Sequence, residues 1–576
     1  MKVAMMAYTE SGGAGRAALR LMDGLNQIQD VDCKMIVQFK NTRHENVISI
    51  KKTNPFFRYI QSSKFAQNVA TGHTMMSMMY SGTEKEYLEL VDSYDIVHFH
   101  WISNFVSVES MKYLSESGKS LVWTFHDRNP MTGGCHCTYG CEEYISNCTS
   151  CPEMQDNPYY ITEKVLYKKL KYIPKNLVVV TPSRWMADCA KKSRIFKNHR
   201  IEIIPNSIDL HIFNSLQRND RTKLGIANDA KVILYCAEAH EQIHKGYRYF
   251  IEALQWIRNV LIPYRWEKIV LLLIGRTDDI LQDTEELGVT VVSLGYVKDD
   301  NLLATAYTLA DVTVLPSLED NFPNVMLESI SCGTPVAAFR TGGIPDVIQD
   351  GINGYVVPQK DSQALGNAIV KILEGKSMKQ QCYSFAEKEL SQELQAKRYR
   401  DLYDDILSRP SSRASDSHFA LPLDTHQLLA PYYFEAMQHL LSLDEASKRR
   451  FLKGISLEDD ILAYVMQHTD WIKDCPNDSI AIWGTGRFSK RLVQSLMKLD
   501  ISFDKKLGGF FDANPQGSFF SGYPYLSHEN ILSGQIKTIV IGSVKFENEI
   551  YQEIRKYEMA GTRILRLRCG YENSIL

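Results

Sequence analysis

The chain has no apolar run near the roughly 18–20 residues that would span a bilayer as a helix, so a helical membrane span is not expected. It has no excess of one charge: 65 Lys and Arg face 68 Asp and Glu, for a net charge of −3. That balance leaves no global basic footprint for nucleic acid. The N-terminus lacks a signal-peptide pattern. Its short apolar stretch, Met1–Tyr8, runs straight into a glycine loop and reads as a first strand. Cysteine is sparse, 12 in 576 residues, outside one cluster. A reducing, cytoplasmic address is therefore expected. What remains is an ordinary globular composition, 44% hydrophobic and 23% charged, long enough for two to four domains.

Short apolar runs rich in Val, Ile and aromatics alternate with helical patterns. One series is 2–7, 33–39, 95–99, 121–125 and 177–181. A second is 232–236, 269–274, 289–292, 311–315, 336–339 and 355–357. Arg16–Leu25, Glu109–Ser115 and Tyr249–Ile257 read as helices between them. Such alternation predicts parallel sheets covered by helices on both faces. Two doubly wound domains joined near Pro205-Asn206-Ser207-Ile208-Asp209 would face a cleft, with ligands at the carboxyl ends of the strands.

The richest stretch is Pro316-Ser317-Leu318-Glu319-Asp320-Asn321-Phe322-Pro323-Asn324-Val325-Met326-Leu327-Glu328, closed by Gly333 and Pro335. It reads as strand, loop, helix, strand. Pro323 suits a first helical turn, where its missing N–H has no partner to lose; Gly333 and Pro335 suit the exit. Asn324 and Glu328, four apart, share one helix face. Free N–H groups at the helix start and carboxylates beside it suit a phosphorylated, hydroxyl-rich ligand.

This stretch resembles the acidic-x7-acidic signature of retaining, GT-B-fold glycosyltransferases of family 4. The resemblance covers about residues 1–410 and implies a nucleotide-sugar donor, UDP- or GDP-linked. It implies that Asp320 and Glu328 are the acid pair, the first holding donor sugar and the second donor ribose. Asp320 departs from the family's Glu, and Glu319 beside it is a rival. Asn321, Phe322, Pro323 and Asn324 are then donor contacts.

Other segments resemble the same family. Ser11-Gly12-Gly13-Ala14-Gly15-Arg16 follows the first strand and opens a helix, and its glycines let backbone N–H groups approach a phosphate. It matches the family's loop facing the donor pyrophosphate, which implicates Gly12 and Gly13. Trp123-Thr124-Phe125-His126-Asp127 resembles the Thr-x-His segment whose His contacts donor sugar. His126 is ranked above His98 and His100 at the preceding strand end. His244-Lys245-Gly246-Tyr247 resembles the family's Lys-Gly phosphate grip. No Arg occurs in 236–240, so Lys245 is the main cation and Arg276 a possible second. Leu294-Gly295-Tyr296-Val297 resembles the base-pocket segment, which implicates Tyr296 and Val297.

Five cysteines crowd into Cys135-x-Cys137-x3-Cys141-x6-Cys148-x2-Cys151. Cys135, Cys141, Cys148 and Cys151 could surround a structural zinc, with disulfide pairing or plain burial as alternatives. A similar insert follows the Thr-x-His-Asp segment in capsule and exopolysaccharide transferases of this type. Residues 157–200 hold eleven Lys and Arg against Glu163 and Asp188, interleaved with aromatics. That suits an anionic membrane surface or lipid-linked phosphate. After a Pro/Ser/Arg-rich linker from Arg409, Thr425–Thr469 reads as helical. Ile480–Ser489 then opens a further α/β unit with a partial Rossmann fingerprint, Gly484-Thr485-Gly486 and Asp512.

The expected organisation is a first GT-B domain over 1–205 with the insert at 133–152, and a donor-binding domain over 206–385. A returning helix over 386–408, a linker and helical segment over 409–475, and a Rossmann-like accessory domain over 476–576 complete it. The expected reaction is metal-independent hexosyl transfer with retention, to a growing cell-surface glycan or lipid-linked acceptor. The leaving phosphate, held by Lys245 and the Gly12-Gly13 loop, would take the acceptor proton. Alternatives are a GT-B sugar-nucleotide epimerase or phosphorylase, and a non-catalytic partner of another transferase.

Overall fold

The computed structural model describes residues 1–50, 59–60, 69–80, 84–155, 157, 160–214, 221–237, 242–261, 263–275, 284, 287–409, 439–440, 442–443, 447–448, 472, 475–484, 487–499, 503–512, 519–520, 523–541, 547–560 and 562–566. The chain divides into two compact units, 1–433 and 434–576.

The first unit holds two parallel sheets. One contains β1 (Lys2–Thr9), β2 (Asp32–Phe39), β3 (Val47–Ser49), β4 (Ile96–Phe99), β5 (Ser120–Thr124), β6 (Val178–Thr181) and β7 (Ile201–Ile203), in the order β3-β2-β1-β4-β5-β6-β7. Every pairing in it is parallel. The other contains β8 (Lys231–Ala237), β9 (Ile269–Gly275), β10 (Thr290–Ser293), β11 (Val312–Leu315), β12 (Val336–Phe339) and β13 (Gly354–Val357), in the order β10-β9-β8-β11-β12-β13, again all parallel. The central strands are buried along their whole length, which is why they read as continuous apolar runs. The edge strands β3 and β7 escape sequence reading because three residues give no usable period.

The helices that position the site are α1 (Gly12–Asn26), α2 (Val108–Glu116), α3 (Ile161–Tyr172), α4 (Arg184–Lys192), α5 (Tyr247–Val260), α6 (Asp300–Leu309), α7 (Asn324–Ser331), α8 (Lys379–Glu389) and α9 (Gln392–Ser408). The core of the first domain stacks aromatics edge to face. Trp123 meets Phe125 at 5.2 Å and Phe125 meets Phe196 at 4.8 Å between centroids.

Two chain segments cross between the domains side by side. Ile208 donates its N–H to Leu390 at 2.9 Å, and Ser207 Oγ bonds Gln395 at 2.7 Å. The returning segment is broken at Leu390–Ser391 into α8 and α9, because Ser391 caps α9 by accepting from Leu394 N. α9 then packs on α1, burying Tyr399 and Tyr403 in the first domain.

Part of the basic stretch is taken up by the fold, while Lys164, Lys171, Lys175, Arg184, Lys191, Lys192 and Lys197 stay exposed. Lys169 is buried and donates to the carbonyls of Asn129 and Thr132, and Lys168 pairs with Glu109 at 2.6 Å. Arg200 is taken up by Glu202 and Asp405. Tyr160 and Tyr167 on or beside α3 stand exposed. Among the described residues no helix is long and apolar enough to cross a membrane.

The second unit contains a parallel sheet in the order β15-β14-β18-β19, with β14 (Ile480–Trp483), β15 (Leu507–Phe511), β18 (Thr538–Ile541) and β19 (Arg563–Leu565); a small antiparallel pair joins β16 (Phe519–Phe520) to β17 (Tyr523–Pro524). Gly484 ends β14 with φ +102°, and its carbonyl accepts from Ser489 Oγ at 2.7 Å. Thr485, Gly486 and almost all of 425–469 lie outside the described residues.

Candidate functional site

The carboxyl ends of both sheets in the first unit enclose one cavity of about 630 Å³. Gly12, Gly13, His126, Lys245, Asp320 and Glu328 all line it, together with Tyr296, Val297, Asn321, Phe322, Pro323 and Asn324. Arg276 lies outside the described residues.

From the first domain comes the start of α1. Gly12 has φ +72°, a conformation that L side chains rarely adopt. Gly15 is demanded by space, since a Cβ there would stand 2.4 Å from the Thr9 carbonyl. No acidic side chain occupies the first turn of α1, so its positive end is not neutralised from within the helix.

His126 and Asp127 follow β5. His126 Nε2 meets His100 Nδ1 at 3.0 Å. Burial pushes His126 down to about 4, which keeps it neutral near pH 7. Asp127 Oδ2 takes the Trp101 indole N–H and His136 Nδ1, each at 2.6 Å, and Oδ1 accepts from Asn129 N at 2.8 Å. Burial opposes ionisation of Asp127, but these partners outweigh it and hold its carboxyl below the usual range. His98 is not at the cavity. It is fully buried between Tyr403 and Thr124.

From the second domain comes the turn after β8. Gly246 has φ +67°, and a Cβ there would stand 1.9 Å from the Pro316 carbonyl, so the turn and the acidic loop are in backbone contact. Lys245 Nζ reaches Asp320 Oδ2 at 3.0 Å. Burial works against the ammonium, yet the Asp320 charge prevails and raises it above the ordinary lysine value. Gly342 and Gly343 pass so close under Asp320 and Asn321 that a Cβ on either would overlap their carbonyl oxygens.

Pro323 sits one place earlier than its sequence suggests. With ψ 128° it is the extended residue before α7, because the chain must still turn out of the acidic loop there. Asn324 Nδ2 donates to the Gly13 carbonyl at 3.0 Å. Asn321 clasps the first domain: its amide donates to the Phe125 carbonyl at 2.9 Å and its oxygen accepts from Ser183 Oγ at 2.6 Å. Glu328 faces the same way but is already engaged. It accepts from Arg20 and from the Tyr307 hydroxyl, each at 3.1 Å, and Arg16 stands 3.5 Å away. Arg16 also binds Asp300 at 2.5 Å.

Arg16, Arg20, Asp300 and Tyr307 were missed in the sequence. Arg16 and Arg20 are four apart on α1, but the carboxylate they meet is some 300 residues away in the chain. The two neighbouring acids point in different directions. Asp320 lines the cavity; Glu319 turns away, and its carboxylate accepts from Thr138 N and Tyr139 N, each at 2.9 Å.

The cysteine cluster corrects an expectation. Cys135, Cys141, Cys148 and Cys151 line one small space of about 20 Å³ and are free thiols. Among the described residues, however, no three His, Cys, Asp or Glu side chains form a group that could hold a metal ion. The structural zinc is thus not supported, and neither is disulfide pairing among these thiols.

Residues 11–212 match the family Glycosyltransferase Family 4, and 230–375 match Glycosyl transferases group 1. The two together fill the walls of the cavity. Residues 11–212 and 230–375 are glycosyltransferase domains in a GT-B fold. Residues 476–565 match a third family, described as C2185-like, N-terminal. A glycosyltransferase of Methanocaldococcus jannaschii is 24% identical over 408 residues, 68% of this chain and 93% of the relative. A D-inositol 3-phosphate glycosyltransferase of Geodermatophilus obscurus is 28% identical over 223 residues, 36% of this chain and about half of the relative, 48%. In solved structures, sucrose-phosphate synthase from Thermosynechococcus elongatus aligns with TM-score 0.51 and 18% identity, over 71% of this chain and 99% of that one. HepE of Anabaena, in complex with UDP-glucose, aligns with TM-score 0.50 and 16% identity, over 70% of this chain and all, 100%, of that one. At these identities the structures speak for the fold.

Proposed function

We propose that the cavity binds a nucleoside-diphosphate sugar and transfers its hexose, with retention, to a growing cell-surface glycan or lipid-linked acceptor. The observation that carries this reading is one arrangement: Lys245, paired with Asp320, shares a single cavity with the un-neutralised start of α1. A diphosphate entering there meets an ammonium and free N–H groups, and Lys245 leaves Asp320 for the phosphate. Asp320 is then free to accept from sugar hydroxyls. Glu328, with Arg16 and Arg20 holding it, faces the ribose, and exposed Tyr296 offers a ring to the base. Uracil is the first base to test, since the HepE complex named above holds UDP-glucose.

The chemistry follows from that placement. The acceptor oxygen approaches the anomeric carbon on the face the phosphate leaves. The C1–O bond to phosphate breaks with its electron pair passing to the phosphate oxygen, which takes the acceptor proton. Lys245 and the α1 amides stabilise the charge that develops. His126, neutral, hydrogen-bonds the sugar. The exposed Tyr160 and Tyr167 offer a surface for an anionic membrane.

The test is to incubate the protein with a mixture of UDP- and GDP-hexoses, identify by mass what is retained, and measure nucleoside diphosphate released with and without glycan acceptors. Acceptor-dependent release with an unchanged anomeric configuration supports the reading. Release that ignores the acceptor, or an inverted product, overturns it.

A further inference from the structure

The cysteine-rich insert lies in the first domain, yet it takes hold of the second. Thr138 and Tyr139 present consecutive N–H groups, and Tyr139 has φ +48°, a left-handed conformation unusual for a side chain of that size. Successive amides in such a turn form a concavity that binds an anion. The anion here is the Glu319 carboxylate, one oxygen on each N–H at 2.9 Å, and the residue is 7% exposed. Arg128 Nε stands 3.5 Å from the same carboxylate, and its guanidinium also donates to Thr138 Oγ1 and lies over the Trp185 ring.

The conformation of Tyr139 is held from two further directions. Its hydroxyl accepts from Thr74 N at 2.9 Å, its ring stacks on His73 at 4.1 Å, and His73 is fixed by Glu153 at 2.5 Å. The segment around His73 makes a second crossing: Gly72 O accepts from Ile243 N at 2.9 Å, beside Lys245. On the other side, the backbone of Leu318 donates to His244 O at 2.7 Å. Insert, acidic loop and lysine turn therefore form one hydrogen-bonded unit, and Asp320, next to Glu319, meets Lys245 at its centre.

We infer that Glu319 is a positioning residue: gripped by the Thr138–Tyr139 amides of the insert, it fixes Asp320 and the Lys245 turn for transfer. This rests on the cavity being the donor site as proposed above. The insert thus acts as a strap across the cleft, and its thiols pack the body from which the two amides project. A carboxylate bound by paired N–H groups is directional, so removing its charge loosens the loop without emptying the cavity.

Full-length Glu319→Gln, close in volume, is compared with the unaltered chain and with Glu319→Ala. Four readouts are used: hydrogen exchange of peptides covering 136–141 and 242–250, UDP affinity by calorimetry, turnover of UDP-hexoses, and Tm. The expected result is faster exchange in both peptides and about tenfold lower kcat, with donor KM and UDP affinity within about threefold. Unchanged exchange at 242–250 overturns the coupling. So does a loss of UDP affinity that merely tracks a lower Tm in both variants, since that marks a structural role only. If the unaltered chain turns over no nucleotide sugar, the reading of the cavity fails, while the exchange measurement still decides whether Glu319 ties the insert to the lysine turn.

Discussion

Glu328 has two commitments, and they dictate how it must be tested. Its carboxylate is 4% exposed and pairs with Arg20, itself 8% exposed. Glu328→Ala would strand a buried guanidinium, a change that costs about 3–5 kcal/mol when one partner of a buried pair is lost. Its effect on activity would then be confounded with unfolding. Glu328→Gln keeps the volume and a hydrogen-bond acceptor for Arg20. We expect it to raise donor KM about tenfold with Tm lowered far less than in the alanine variant. Equal Tm losses would mean that Glu328 serves the domain interface alone. Lys245→Met should act differently: it lowers kcat by roughly a hundredfold, because the leaving phosphate loses its ammonium, with a smaller change in donor KM. The sequence pointed to Lys245 and Glu328 because each sits in a local pattern of strand, glycine and helix. It was silent on Arg16, Arg20 and Tyr307, whose importance lies in contacts between distant segments.

The junction of β4, β5 and α9 buries a row of histidines. His98 bonds Tyr403 at 2.7 Å and Thr124 at 2.8 Å, and Thr124 bonds Tyr399 at 2.8 Å. Burial pushes His98 down to about 3 and His126 down to about 4, with His100 lowered as well. In the unfolded chain each would bind a proton near pH 6.5. Between about 6.5 and 4 the unfolded state therefore binds more protons, so stability rises with pH there and falls on acidification. The slope is about 1.4 kcal/mol per pH unit for each such histidine, offset in part by any carboxylate whose value is raised on folding. The unfolding free energy of the first unit should drop steeply from pH 6.5 to 4, and His98→Gln should flatten that slope measurably in urea titrations. An unaltered slope would show that other groups govern the acid limb. At this scale the strands were legible, since a fully buried parallel strand is a run of Val, Ile and Leu. The partnership of α9 with β4 and β5 was not, because Tyr399 and Tyr403 look like any aromatic pair on a helix.

Taken whole, the chain places every described wall of the cavity within its first unit. The repeated alternation of strand and helix announced two parallel sheets, and the break at Pro205–Asp209 announced the crossing between them. What α9 does follows only from the structure. It leaves the second domain at Ser391 and closes the first, with Gln392 Nε2 donating to Arg20 O at 3.2 Å and the Tyr399 and Tyr403 side chains filling its core. Two truncations should therefore behave oppositely. Ending the chain shortly after Arg409, so that α9 is kept, should leave a folded first unit that binds UDP within about threefold of the full chain, since no described contact of the cavity is lost. Ending it after Glu389 removes α9 and uncovers the apolar face of α1. Losing two buried tyrosines and the helix that carries them exceeds the roughly 5–15 kcal/mol that holds a domain together, so this shorter chain should fail to fold cooperatively in calorimetry. A longer truncate that folds and binds UDP, yet transfers to no acceptor that the full chain accepts, would place an acceptor function beyond Arg409. A shorter truncate that melts like the longer one would remove α9 from the core of the first domain.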